Sequence, residues 1–201
     1  ERFTDSGPVA MLPLAGQRLG SICTVPADQA AAVAALDDDG YRALLQERFG
    51  WRLGRLGRIG KRNAYPLQRV CAHALYAERA ILVGNAAQTV HPVGAQGFNL
   101  GLRDALTLAE ELRAAHAHAR DIGEPDLLQR YASRRSADRD ATVALSDGLV
   151  RVFANRFAPM RIARSLGLLA MGRSTGLRAS LVAGAMGFRG DVPQLAREAV
   201  A

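Results

Sequence analysis

Residues 80–112 constrain the fold more than any other part of the chain. A short apolar run, Ala80-Ile81-Leu82-Val83, reads as a buried strand. It leads into a loop with glycines at 84, 94 and 97. A helical pattern follows, with Gly101 near its start and with Leu102, Ala105, Leu106, Ala109 and Leu112 on one face. Strand, glycine-studded loop and helix start together form a place where backbone N–H groups can meet an electron-rich ligand. The four glycines have a plainer use as well, since they permit turns and a close helix packing.

The ordered string carries more than its glycines. It includes Gly84-Asn85-Ala86-Ala87-Gln88, the His91-Pro92 pair, the Gly97-Phe98-Asn99 helix start and Asp104. This block resembles the second flavin-binding motif of the single-component aromatic hydroxylases. Asn85 stands where most of that family carries aspartate, and Gln88 where many carry histidine. Both substitutions are typical of the ubiquinone-biosynthesis branch.

The resemblance implies FAD as cofactor and assigns roles to Gly84, Asn85, Pro92, Gly94, Gly97, Phe98 and Asn99. Asn85 would hydrogen-bond a ribityl hydroxyl, because an amide both donates and accepts. Pro92 would pack beside the isoalloxazine and hold the loop rigid, fixing its own φ and restricting His91. Gly97, Phe98 and Asn99 would direct N–H groups at the flavin N1 and C2 carbonyl, where a helix N-terminus stabilises negative charge by ~0.3–1 kcal/mol, and up to ~2 when partly buried. Asp104 would fasten the loop from within the helix. No catalytic residue is assigned, and His91 reads as a shaping group or a proton donor.

In that family NADPH or NADH supplies electrons, O2 supplies the oxygen atom, and a phenol ring receives it. The substrate of the branch is a polyprenylated phenol, which implies a membrane surface or other ubiquinone-biosynthesis proteins as partners. The family also opens with a strand followed by Gly-x-Gly-x-x-Gly, which does not occur in this sequence. The resemblance therefore implies the C-terminal part of a protein about twice as long, inactive alone because half of the FAD site is missing.

Composition narrows the alternatives. Hydrophobic residues make up 49% of 201 positions, enough for one good core or parts of two. The net charge of +7 is almost wholly arginine, since Lys61 is the single lysine. Such a surface attracts phosphate groups or anionic lipid. The arginines are not interleaved with aromatics in a dense run, so no nucleic-acid partner is expected. Cys23 and Cys71 make no disulfide framework, and no secretory leader opens the sequence, so a cytoplasmic protein is expected, peripheral at the inner membrane if the resemblance holds. Cys71 and His73 lack a second pair at ligand spacing, and no metal site is expected.

The remaining chain reads as a mixed α/β (α+β) fragment. Residues 9–14 and 19–25 form an antiparallel hairpin around a turn at 15–18, and Met11 or Leu12 would lie near the aromatic substrate. An alanine-rich helical stretch covers 26–36, a second helix capped by Asp38 or Asp39 runs to about 49, and 58–66 returns to an extended pattern. After a break at Gly123-Glu124-Pro125, a long amphipathic helix should cover 125–155, and Pro159 starts another. Residues 166–188 are apolar, but Arg173 and Arg178 interrupt them, which argues against a membrane span. A helical hairpin packed on the protein body is the favoured reading there, and a membrane or partner surface the other. The domain plan is a substrate-sheet part over 1–75, an FAD-domain part over 76–122 and a helical region over 123–201. Three other functions stay open: a different flavoenzyme on this scaffold, a basic nucleic-acid binder, and a non-enzymatic membrane or assembly adaptor that retains the motif as a relic.

Overall fold

The N-terminal hairpin forms around a tight turn in which Gly16 and Gln17 both adopt positive φ, 70° and 56°. In the computed structural model, which describes residues 1–91, 96–153, 155, 157–187 and 191–198, strands β1 (Arg2–Thr4), β2 (Gly7–Leu14) and β3 (Arg18–Cys23) make an antiparallel sheet in the order β1-β2-β3. The register pairs Val9 with Cys23 and Leu14 with Arg18. Val9 is fully buried. A 3-10 turn (Ala27–Gln29) and the short helix α1 (Ala30–Ala34) fill the alanine-rich stretch.

Helix α2 (Asp38–Phe49) is capped by Asp37, whose carboxylate accepts from the Gly40 N–H at 2.7 Å. The expected cap at Asp38 or Asp39 is therefore corrected by one position; these two sit in the first turn, where they face the positive end of the helix dipole. Gly50, at φ 84°, ends the helix. Arg48 donates to Ser6 Oγ and the Thr24 carbonyl, and Arg2 donates to the Phe49 carbonyl, so α2 is tied to the sheet at both edges. The buried amide of Gln46 donates to the Gly50 and Gly54 carbonyls and accepts from the Leu56 N–H, which organises the following loop. Residues 58–66 form no strand, contrary to their pattern.

Two units divide the chain, one comprising Glu1–Leu67 with Val150–Arg164, the other Gln68–Leu149 with Ser165–Ala201. In the second, β4 (Val70–Cys71) pairs antiparallel with a later strand, and β5 (Tyr76–Ala77) pairs antiparallel with β6 (Ala80–Ile81). β6 is shorter and less buried than the apolar run 80–83 suggests. It is one arm of a two-residue hairpin, and none of its neighbours is more than partly buried. A 3-10 turn (Gly84–Ala86) and β7 (Gln88–Thr89), the partner of β4, complete the loop.

Helix α3 (Gln96–Ala117) and helix α4 (Pro125–Phe153) supply the rest of the core. Leu75, Ala87 and Tyr131 pack with Ile81, Leu82, Val83 and Leu108, while Ala115, Leu127 and Leu128 pack with Tyr76, Ile81 and Leu112. The predicted apolar face of α3 is only partly the one buried. Leu102, Ala105 and Ala109 are exposed, and the buried side carries Leu100, Arg103, Asp104, Thr107, Glu111 and Ala115. Helices α5 (Ala158–Arg173) and α6 (Thr175–Ala185) bury no residue at all, which corrects the expectation of a hairpin packed on the body. Helix α7 (Gln194–Glu198) sits against α3.

The seat of α7 is electrostatic. Arg134 donates to both Asp191 oxygens, at 2.6 and 3.2 Å, and to Glu110 and Glu111, while Glu110 also accepts from the Leu195 N–H. Hydrogen bonding from Arg134 holds the Asp191 carboxyl below its ordinary value. A carboxylate depressed in this way adds stability above the unfolded aspartate pKa of about 4 and loses it as pH falls through the folded value. Urea midpoints of the wild type and Asp191→Asn should therefore differ by a constant amount between about pH 7 and pH 5 and converge below about pH 4. The difference will be small because half of the Asp191 side chain is in water.

Candidate functional site

Val83 is extended (φ −132°, ψ 140°), and Gly84 at φ 62° then turns the chain sharply into the 3-10 turn. A left-handed residue here favours glycine. The turn brings Gly84 onto α3 with backbone nearly touching backbone. A Cβ added to Gly101 would lie 3.2 Å from the Gly84 Cα, and one added to Gly84 would lie 3.7 Å from the Gly101 Cα. These two glycines thus serve the packing between loop and helix.

Asp104, one turn further along α3, fastens the same loop. Its Oδ2 accepts from the Gly84 N–H at 3.0 Å and from the Gln88 amide at 2.8 Å. Its Oδ1 accepts from Arg135 Nε at 2.7 Å, in an ion pair whose side chains are 1% and 3% exposed. Arg135 continues to Asp138 at 2.6 Å, and Asp138 also accepts from Arg103 Nε at 2.7 Å. Tyr131 donates to the Leu82 carbonyl at 3.1 Å; burial first, and the Asp104 carboxylate second, push its hydroxyl well above the usual phenol range, so it stays neutral. A buried carboxylate with three donors is a fixed post for the loop, as expected from the sequence.

Sequence reasoning did not find Arg135, Asp138 or Arg103, which lie 31 to 35 residues from their partners. Only the Arg135–Asp138 pair, three residues apart on one helix, has a local signal. It also missed Gln96, whose buried amide donates to the Ala185 carbonyl at 2.9 Å and joins the start of α3 to the end of α6.

The other predicted ligand residues stand open. Asn85 is exposed, with its carbonyl oxygen accepting from Thr89 Oγ1 at 3.1 Å. Gly97, Phe98 and Asn99 are exposed in the first turn of α3, and Phe98 is 78% accessible despite its size. N–H groups in a first turn have no carbonyl one turn earlier within the helix. A Cβ on Gly97 would make only ordinary contact with Val90, at 3.6 Å, so the protein's own packing does not require glycine there. Pro92 and Gly94 lie outside the described residues. Met11 and Leu12 lie on β2 in the other unit, the first half-buried and the second exposed. Two open grooves, about 420 and 690 Å³, are lined by the Arg134 network and its neighbours and by none of these residues.

A family model described as an FAD binding domain matches residues 2–146. The chain belongs to this FAD-binding family. Among its FAD-binding relatives, the ubiquinone hydroxylase UbiL of Rhodospirillum rubrum is 40% identical, over 93% of this chain and 44% of its own length. The 3-demethoxyubiquinol 3-hydroxylase of Escherichia coli is 32% identical, over 94% and 48%. The crystal structure of p-nitrophenol 4-monooxygenase PnpA from Pseudomonas putida superposes with a TM-score of 0.70 at 21% identity, over 94% of this chain and 48% of that one, and so shares the fold. The chain spans less than half the length of these relatives.

Proposed function

We propose that this chain forms part of an FAD-dependent monooxygenase that hydroxylates a polyprenylated phenol in ubiquinone biosynthesis, of the 2-octaprenyl-6-methoxyphenol kind, with NADPH or NADH as electron donor and O2 as oxygen source. The observation that carries the reading is the Gly84–Asp104 assembly. Asp104 and Arg135 hold the loop from behind, while Asn85 and the first turn of α3 present polar groups on its open side. Relatives named as ubiquinone hydroxylases support the substrate class.

The residues present fit a flavin. Asn85 would hold a ribityl hydroxyl, and Gly84, Pro92 and Gly94 would shape the loop around it. Gly97, Phe98 and Asn99 would set their N–H groups against the pyrimidine edge, with glycine at 97 leaving room for close approach. Bound FAD would supply the activation of O2; the chain's share is to bind, orient and keep water from the ring. The reading assigns the dinucleotide-binding strand and its Gly-x-Gly-x-x-Gly turn to length that the relatives carry beyond this chain. Because a polyprenyl tail resides in a bilayer, the reading also places the protein at a membrane surface or among other proteins of the pathway.

Flavin fluorescence tests this directly. FAD should bind when the chain is joined to that additional length and not to residues 1–201 alone, which should lack turnover. In the longer protein, Asn85→Leu should weaken FAD about five- to tenfold, the value of roughly one hydrogen bond. Unchanged flavin content in Asn85→Leu would remove the role given to Asn85. Failure of both forms to bind FAD would favour the adaptor.

A further inference from the structure

The net charge of the chain is confined to one segment. Residues 148–190 contain seven arginines and neither aspartate nor glutamate, while the remaining nineteen basic residues are matched by nineteen acidic ones. That segment includes α5 and α6, the two long helices that bury nothing. From Ser165 onward their surface combines apolar bulk with positive charge. Leu166, Leu168 and Leu169 on α5 and Leu177, Leu181, Val182 and, just beyond α6, Met186 are 43–60% exposed. Arg173 and Arg178, also exposed, flank the junction of the two helices at Ser174, whose side chain caps α6.

We infer that the α6 helix and the end of α5 form a docking surface for an anionic lipid bilayer. An apolar surface without a protein cover needs a low-dielectric partner, and seven unopposed positive charges select an anionic one. A second copy would bring the same charge to the same face and repel it. Nucleic acid would satisfy the arginines but leave the leucines in water. A lipid surface satisfies both, since arginine stems lie along the acyl boundary while the guanidinium groups reach lipid phosphates. No helix among the described residues is long and apolar enough to cross a membrane, so the contact is with the surface. The inference deepens the membrane part of the reading above. Lipid binding and flavin binding are separate measurements, and either can fail alone.

The test is co-sedimentation of the chain with phosphatidylcholine vesicles, with and without phosphatidylglycerol. Binding should require the anionic lipid and fall with salt. Arg173→Gln with Arg178→Gln should weaken it about 25-fold, from roughly fivefold per arginine near the surface. Leu169→Gln with Leu181→Gln, which lie on helices that bury nothing and so leave the fold intact, should weaken it as well. Absence of binding to anionic vesicles at low salt overturns the proposal, as does binding indifferent to both pairs of changes. Salt-sensitive binding to an oligonucleotide that the leucine changes leave untouched, without lipid binding, assigns the face to nucleic acid. A dimer in sedimentation equilibrium that Leu169→Gln dissociates assigns it to a second copy. Loss of lipid binding when the chain carries the additional length of its relatives assigns it to that length.

Discussion

Asp104→Leu is expected to destabilise the second unit by about 3–5 kcal/mol, the usual cost of leaving one partner of a buried ion pair uncompensated. Three donors lose their acceptor at once: Arg135 Nε, the Gly84 N–H and the Gln88 amide. Asp138 retains its bond to Arg135 but cannot reach the loop. Urea denaturation followed by circular dichroism measures the effect. A loss under about 1 kcal/mol would mean that the carboxylate is not the post described here. Asp104→Leu combined with Arg135→Met should cost less than the sum of the two single changes, because the second removes the charge that the first leaves stranded.

Gly101→Val should be the next most damaging change, at about 1–3 kcal/mol or more. Even a single Cβ would stand 3.2 Å from the Gly84 Cα, and the branched side chain adds two further carbons against a backbone that is itself pinned by Asp104. Gly101→Ala needs a shift of only a few tenths of an ångström and should fall at the low end of that range. Gly84→Ala adds a different cost, about 1–2 kcal/mol for a left-handed residue with a side chain. Because both glycines share one contact, the double variant should be non-additive. Thermal and urea unfolding of the three variants decides the matter; equal stability of Gly101→Val and wild type would show that loop and helix are not in close contact.

What was legible in the sequence was what local chemistry determines. The β2–β3 hairpin follows from alternation and a glycine turn, and α4 follows from Pro125 and a long amphipathic pattern. The N-cap of α2 was legible in type but not in position, since three consecutive aspartates offer the same oxygen and only backbone geometry selects Asp37. In the loop, the tie from Asp104 was readable because it lies within one motif. The face of α3 was not. A hydrophobicity pattern points to Leu102 and Ala105, whereas burial follows from Arg135 and Asp138 on a helix more than thirty residues away. Residues 58–66 have an extended pattern but form no ladder, and a strand without a partner has nowhere to place its backbone donors. For α5 and α6 the sequence reports apolar content, and content alone does not say what lies against it.

The polar seat of α3 sets how tolerant that helix is of movement. A helix resting on leucines can rotate a few degrees or slip along its axis and exchange one contact for another. Arg103 and Asp104 allow no such exchange, because each of their bonds has a direction as well as a length. The azimuth of α3 is thereby locked by its middle, well away from its exposed first turn. Whatever meets Gly97, Phe98 and Asn99 finds those groups already aimed, and none of its binding energy is spent on turning them.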